Sequence, residues 1–271
     1  MLAVLWFPFR FVAQRPLAAL GYLALLFATD IGFQLAVAAL GVDPLYRDEV
    51  VSLDELGAYA TRLVAFAIAD TLLGSVAVAP LIVAVLRHLN LRQHGVDVLD
   101  AVLIAFASIT LLVLRGAIEA FGRITYYTGT LWVEDIAAGA WPMAPFDWSD
   151  LAAPTLGVAL AYLFVRIWLV GPATLHQRKF GFVASWRATR GRVWQSFLFA
   201  LVLLVVSRGG WLLYRWGTTH LPEPPHVPSL EAVFQPLAFG HISLDALVGA
   251  LISMFYASAL TFTFSKLRTR S

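Results

Sequence analysis

Hydrophobic positions along this chain come in six long runs, at about 17–40, 58–86, 98–121, 152–175, 196–214 and 242–265. Each is interrupted by only a few charged residues. Most exceed the roughly 20 residues that carry a helix across a 30 Å hydrocarbon core at 1.5 Å per residue. The runs are apolar on all sides, with neither the period-2 alternation of a half-buried strand nor the single stripe of a soluble surface helix. The pattern predicts six membrane-spanning helices. The second run is long enough to require tilt, or a bend where Pro80 removes a backbone hydrogen bond.

The segments between the runs sort by charge. Residues 1–16, the connectors after the second and fourth runs, and the tail 266–271 hold most of the Lys and Arg, while the other three loops hold most of the Asp and Glu. The positive-inside rule then gives an all-α, polytopic transmembrane helix bundle of six spans, with both termini cytoplasmic and with interfacial amphipathic segments. The natural setting is a multi-pass protein of a bacterial inner (cytoplasmic) membrane. Residues 1–16 are too short and too broken by Pro8 and Arg10 to span, and no small-residue cleavage site follows them. Their aromatic and basic residues predict a surface segment. Residues 17–265 form the transmembrane domain, 266–271 a basic cytoplasmic tail, and the aromatic and acidic stretch 124–150 a loop with room for a short interfacial helix.

Composition agrees with this solvent. Hydrophobic residues are 60% of the chain and charged residues 13%, against about a quarter charged in an ordinary soluble domain. Mean hydropathy is +0.77. With no cysteine, disulfides, thiolate metal sites and cysteine nucleophiles are excluded.

The second feature is the stretch 176–194, HQRKFGFVASWRATRGRVW. Phe182, Trp186, Thr189 and Val193 recur at helical spacing, with Arg187 and Arg190 on other faces. Together with Arg178, Lys179, Arg192 and Trp194 they predict a helix lying in the membrane surface on anionic lipid. A weak internal repeat relates Val78-Ala79-Pro80 with Arg115-Gly116 to Val170-Gly171-Pro172 with Arg208-Gly209. It suggests two related hairpins, unless it is coincidence among Leu- and Val-rich helices.

Candidate chemistry rests on the charges within the runs: Asp30, Arg62, Asp70, Arg115, Glu119, Arg166, Arg208 and Asp245. One such charge near the bilayer centre costs roughly 2.5–3.5 kcal/mol, so these side chains must face one another, a water-filled cavity or the headgroups. Four acids against four bases predict an intramembrane polar network, and Arg115 and Glu119 share a helix face. The network either fixes helix packing or lines a vestibule for a lipid headgroup, an anion or a small solute. No His-Glu-x-x-His, no G-x-S-x-G elbow around Ser75 and no phosphate-binding glycine loop occurs. His220, His226 and His241 are scattered around a Pro-rich loop and do not predict a metal site. No cofactor is expected, and the basic residues are too dispersed for nucleic acid.

The segment Phe182-Val-Ala-Ser185-Trp186-Arg-Ala-Thr189-Arg190-Gly191-Arg-Val-Trp194 resembles a broad set of bacterial six-span membrane proteins. These include the membrane domain attached to some glycerophosphodiester phosphodiesterases. The small-residue last span before a basic tail is similar too. The resemblance implies a fold and a location but no activity, since catalysis in those phosphodiesterases belongs to a separate soluble domain. The expectation is an integral membrane component without catalysis of its own, accessory or lipid-associated, with membrane lipids and a membrane or cytoplasmic protein as partners. The alternative is a small permease or channel.

Overall fold

In the computed structural model the described residues are 2–40, 56–137, 152–219 and 233–268, without the side chains of 56–63, 123–124, 126–137 and 153. They form helices joined by short connectors, with no strand among them: α1 (Leu2–Gln14), α2 (Pro16–Ala39), α3 (Leu56–His88), α4 (Val98–Ala137), α5 (Ala152–Ile167), α6 (Val170–Gln177), α7 (Phe182–Thr189), α8 (Val193–Thr218) and α9 (Pro236–Arg268). Six stretches are long and apolar enough to cross a membrane, with span four made of α5 and α6 together. Both ends of the chain and the two basic connectors therefore lie on one face, called here the connector face.

Local chemistry sets the helix ends. Pro16 opens α2, where its missing N–H costs nothing and its fixed φ suits a first turn. The end of α3 is closed by Asn90 in the left-handed region (φ 55°), with the Leu91 N–H donating to the Leu86 carbonyl at 2.8 Å. That is the 6→1 bond of a Schellman cap. Asp97 and Asp100 start α4 as a reciprocal capping box. The Asp97 carboxylate accepts from the Asp100 N–H, and the Asp100 carboxylate from the Asp97 N–H, both at 3.0 Å.

Two sequence expectations change here. Residues 124–137 do not begin a loop but continue α4, because Gly122 stays helical instead of turning left-handed as a cap and no Pro follows it before Ala137; residues 138–151 lie outside the described residues. Span four, expected to be continuous, breaks at Trp168–Leu169. Pro172 is the physical reason, since it supplies no N–H to the Trp168 carbonyl and its ring crowds that turn. The backbone bonds that would close on the Val165 and Arg166 carbonyls are missing, and hydroxyls replace them. Ser185 donates to the Arg166 carbonyl at 3.0 Å, with the Thr189 hydroxyl 3.3 Å away, and Ser196 donates to that of Val165 at 3.3 Å. Ser196 also accepts the indole N–H of Trp168 at 2.6 Å. The two hairpins read as a repeat thus differ, for α3 runs unbroken through Pro80.

These bonds decide how α7 sits. Its inward face is Ser185, Ala188 and Thr189, all buried, while Phe182 and Trp186 are half-buried on its flank. The in-plane helix expected to bury Phe182 and Trp186 in lipid is instead pinned to the bundle by its small polar residues. Gly181 makes the close approach possible. A Cβ there would sit 2.4 Å from the Thr174 backbone nitrogen, and its N–H donates to the Thr174 hydroxyl at 2.9 Å.

The buried core lies toward the connector face, where α1, the ends of α3 and α9, α6 and α7 meet. The N-terminal segment is a helix through Pro8. Phe7 stacks on Phe262 with ring centroids 4.4 Å apart and Phe11 packs edge-on to His88, while Leu2, Trp6 and Phe9 stay exposed. The basic tail begins as the last turn of α9, with Leu267 buried between exposed Lys266 and Arg268.

Candidate functional site

The other half of the bundle is not filled. A cavity of about 880 Å³ lies among α2, α3, α4, α6, α8 and α9. Asp30 comes from α2, Asp70 from α3 and Asp245 from α9, and Thr29, Gln34, Thr71, Ser75, Ser108, Ser253 and Tyr256 add polar atoms. Its remaining wall is apolar and aromatic, including Phe33 and Trp211. Toward the connector face it ends on Ile82, Ile104, Trp168 and Leu260, all buried in the core. Along α3 it is open, where Ala67, Asp70 and Leu73 are exposed.

Glycine lets the carboxylates approach. Asp30 Oδ2 would be 3.6 Å from a Cβ placed on Gly249 of α9, and Trp211 would be 3.8 Å from it. Asp245 is one turn before Gly249 and faces the Tyr214 hydroxyl. Asp70 and Asp245 both lie within Coulombic range of Asp30. Among the described residues the cavity wall carries no Lys, Arg or His, and none of the three aspartates makes an ion pair there.

Among the described residues the acids and bases do not form one network. Asp30, Asp70 and Asp245 are brought together. Arg115 and Glu119 pair with each other along α4, Nε to Oε1 2.8 Å, with side chains 56% and 50% exposed. Arg208 is exposed on α8. Arg166 is buried near α7, its Cζ 4.2 Å from the centroid of the Trp186 ring. The side chain of Arg62 lies outside the described residues. Of the connector residues, Arg178, Lys179, Arg187, Arg190 and Trp194 are exposed and Arg192 is half-buried.

Reading the charges within the runs missed the most completely bonded charge among the described residues. Arg92 uses all five guanidinium donors: Nε to the His94 carbonyl (3.1 Å), Nη1 to Asp100 Oδ1 (3.0 Å) and the Leu175 carbonyl (2.5 Å), and Nη2 to Asp100 Oδ2 (2.5 Å) and the Gly95 carbonyl (2.7 Å). Arg178 pairs with Asp97 beside it. The Asp100 N–H, and then the Arg178 and Arg92 charges, hold the Asp97 carboxyl below its ordinary range. This cluster ties the connector after α3 to the end of α6. The signal was present, since Asp97-Val-Leu-Asp100 before an apolar run is a capping-box pattern.

Compared with protein-family models, curated proteins and solved structures, the chain matches none. What remains to indicate a function is the cavity and the charges themselves.

Proposed function

We propose that this integral membrane protein admits a small organic cation into its cavity, so that it binds and passes a solute and does not transform it. One observation carries the reading: three carboxylates from three spans converge on one intramembrane cavity that has no base among the described residues. One ionised carboxylate kept dry near the bilayer centre costs roughly 2.5–3.5 kcal/mol on insertion scales, so three of them cannot all stand ionised and dry beside a fold stability of roughly 5–15 kcal/mol. Water, protons or a cationic guest must offset that cost. An anion, one of the guests the sequence left open, would add to it.

The size and walls favour an organic cation over a bare metal ion. Pockets of roughly 300–1,000 Å³ suit small-molecule ligands, and Trp211, Tyr256 and Phe33 offer aromatic surface for a cation. No three His, Asp or Glu side chains among the described residues form a metal-ligand group. The apolar floor supports access from one side at a time, as a permease requires. With the basic connectors in the cytoplasm, as the positive-inside rule has it, that side is the outside of a bacterial inner membrane.

The test is solid-supported-membrane electrophysiology on proteoliposomes, with gradients of tetraethylammonium, an alkylamine or Na⁺. A charge displacement with one of the organic cations that Asp30→Asn and Asp245→Asn each abolish supports the reading. No displacement with any of them, or displacement unchanged in both variants, overturns it.

A further inference from the structure

Arg166 does not line that cavity. By sequence it sits midway along span four. The break before Pro172 changes its depth, because Ser196, in the first turn of α8, bonds to Val165 and Trp168 on either side of it. Arg166 is therefore level with the first turn of α8, at the end of span five that borders the connector face.

Arg166 is 4% exposed. Its guanidinium carbon lies 4.2 Å from the Trp186 ring centroid, and its buried Nε has no hydrogen-bond partner among the described residues. Nor does any described carboxylate pair with it. Its own carbonyl is already served by α7, through Ser185. A buried guanidinium ordinarily has an anion and hydrogen-bond acceptors around it, because desolvating an unmatched charge is strongly unfavourable. Arg92, in the same half of this protein, shows the satisfied case. Stacking over an indole occupies the face of the guanidinium and leaves its N–H edge, the planar fork that matches two oxygens of a phosphate. Arg187 and Arg190 are exposed on the same connector and add positive field. The exposed apolar face of α8, with Trp194, Phe197, Leu198 and Leu201, begins at this level and offers a track for acyl chains.

We propose that Arg166, beneath Trp186, is the anchoring residue of a phosphate-binding site at the connector face, for the phosphodiester of an anionic phospholipid or for free phosphate. The site is separate from the cavity and does not depend on what the cavity carries.

Native mass spectrometry of the full-length protein released from nanodiscs of equal phosphatidylglycerol and phosphatidylcholine tests the lipid source. The wild type should retain phosphatidylglycerol about tenfold over phosphatidylcholine, about 1.4 kcal/mol, because both lipids offer Arg166 a phosphodiester but only phosphatidylcholine brings a choline cation against the Arg166, Arg187 and Arg190 charges. Arg166→Gln should lose that preference and Arg208→Gln should keep it. Free phosphate as the source would show instead as a rise in melting temperature when inorganic phosphate is added in phosphatidylcholine nanodiscs, absent in Arg166→Gln. If Arg166→Gln does not fold, the wild type still decides, through its melting temperature against phosphatidylglycerol fraction and against phosphate. Retention equal in wild type and Arg166→Gln, or a wild type that responds to neither, overturns the proposal.

Discussion

Replacing Arg92 by Met is the sharpest test of how the connector face is held. Arg92 is 8% exposed and Asp100 0%, so the substitution leaves a carboxylate in the interior with the Asp97 N–H at 3.0 Å as its remaining donor among the described residues. It also strips the His94, Gly95 and Leu175 carbonyls of the bonds that Arg92 donates. Breaking a buried ion pair from one side costs about 3–5 kcal/mol. At about 2–4 °C per kcal/mol for a chain of this size, the melting temperature should fall by about 6–20 °C. Tryptophan fluorescence of the protein in nanodiscs reads the shift. The double variant Arg92→Met with Asp100→Leu removes the stranded charge and should recover most of the loss, a coupling that a double-mutant cycle isolates. A shift below about 2 °C for Arg92→Met would refute the claim that the pair is buried and structural. A double variant no better than Arg92→Met would show that the three carbonyl bonds hold the connector and the ion pair does not.

Gly181→Ala should destabilise by about 1–3 kcal/mol, because the new Cβ meets the backbone of α6 at the Thr174 nitrogen and the Ala173 carbonyl carbon, 2.4 and 2.6 Å away. Gly116→Ala, with nothing within 4 Å, is the control in the same melting assay. Asp97 has a folded-state pKa below its ordinary 3.8, so its contribution is fully present above pH 3.8 and is lost as pH falls through the folded value. The melting temperature should drop in that acid window, and Asp97→Asn should flatten the drop in a pH series. Arg208→Leu should not lower the melting temperature, since Arg208 is exposed on a membrane-crossing helix with no ion partner among the described residues and leucine is the less costly residue to face lipid. Lost folding in a detergent melt would show that it is buried against an acid after all.

How much was legible in advance depends on the range of the interaction. The six spans follow from hydropathy alone, because in lipid a chain must satisfy its backbone hydrogen bonds within each segment. Asp30, Asp70 and Asp245 were recognisable as costly, and Arg115 and Glu119 as a pair, since i,i+4 spacing is a property of one helix. Which charges face one another was not legible. A balanced count of acids and bases carries no rotation angle for the helices that bear them, and the three acids met with no base beside them among the described residues. The break before Pro172 was legible only in part, because the Val165 and Arg166 carbonyls it frees are met by hydroxyls of Ser185, Thr189 and Ser196, which lie 19 to 31 residues onward. The sequence by itself determined the solvent, the number of spans and the residues too polar to face lipid, all of which follow from local free energies of transfer. Only the tertiary structure decided that the carboxylates share a cavity, that α7 packs through small hydroxyl residues and that Arg166 stacks under Trp186 with no described acid beside it, because each depends on helices meeting across long sequence distances.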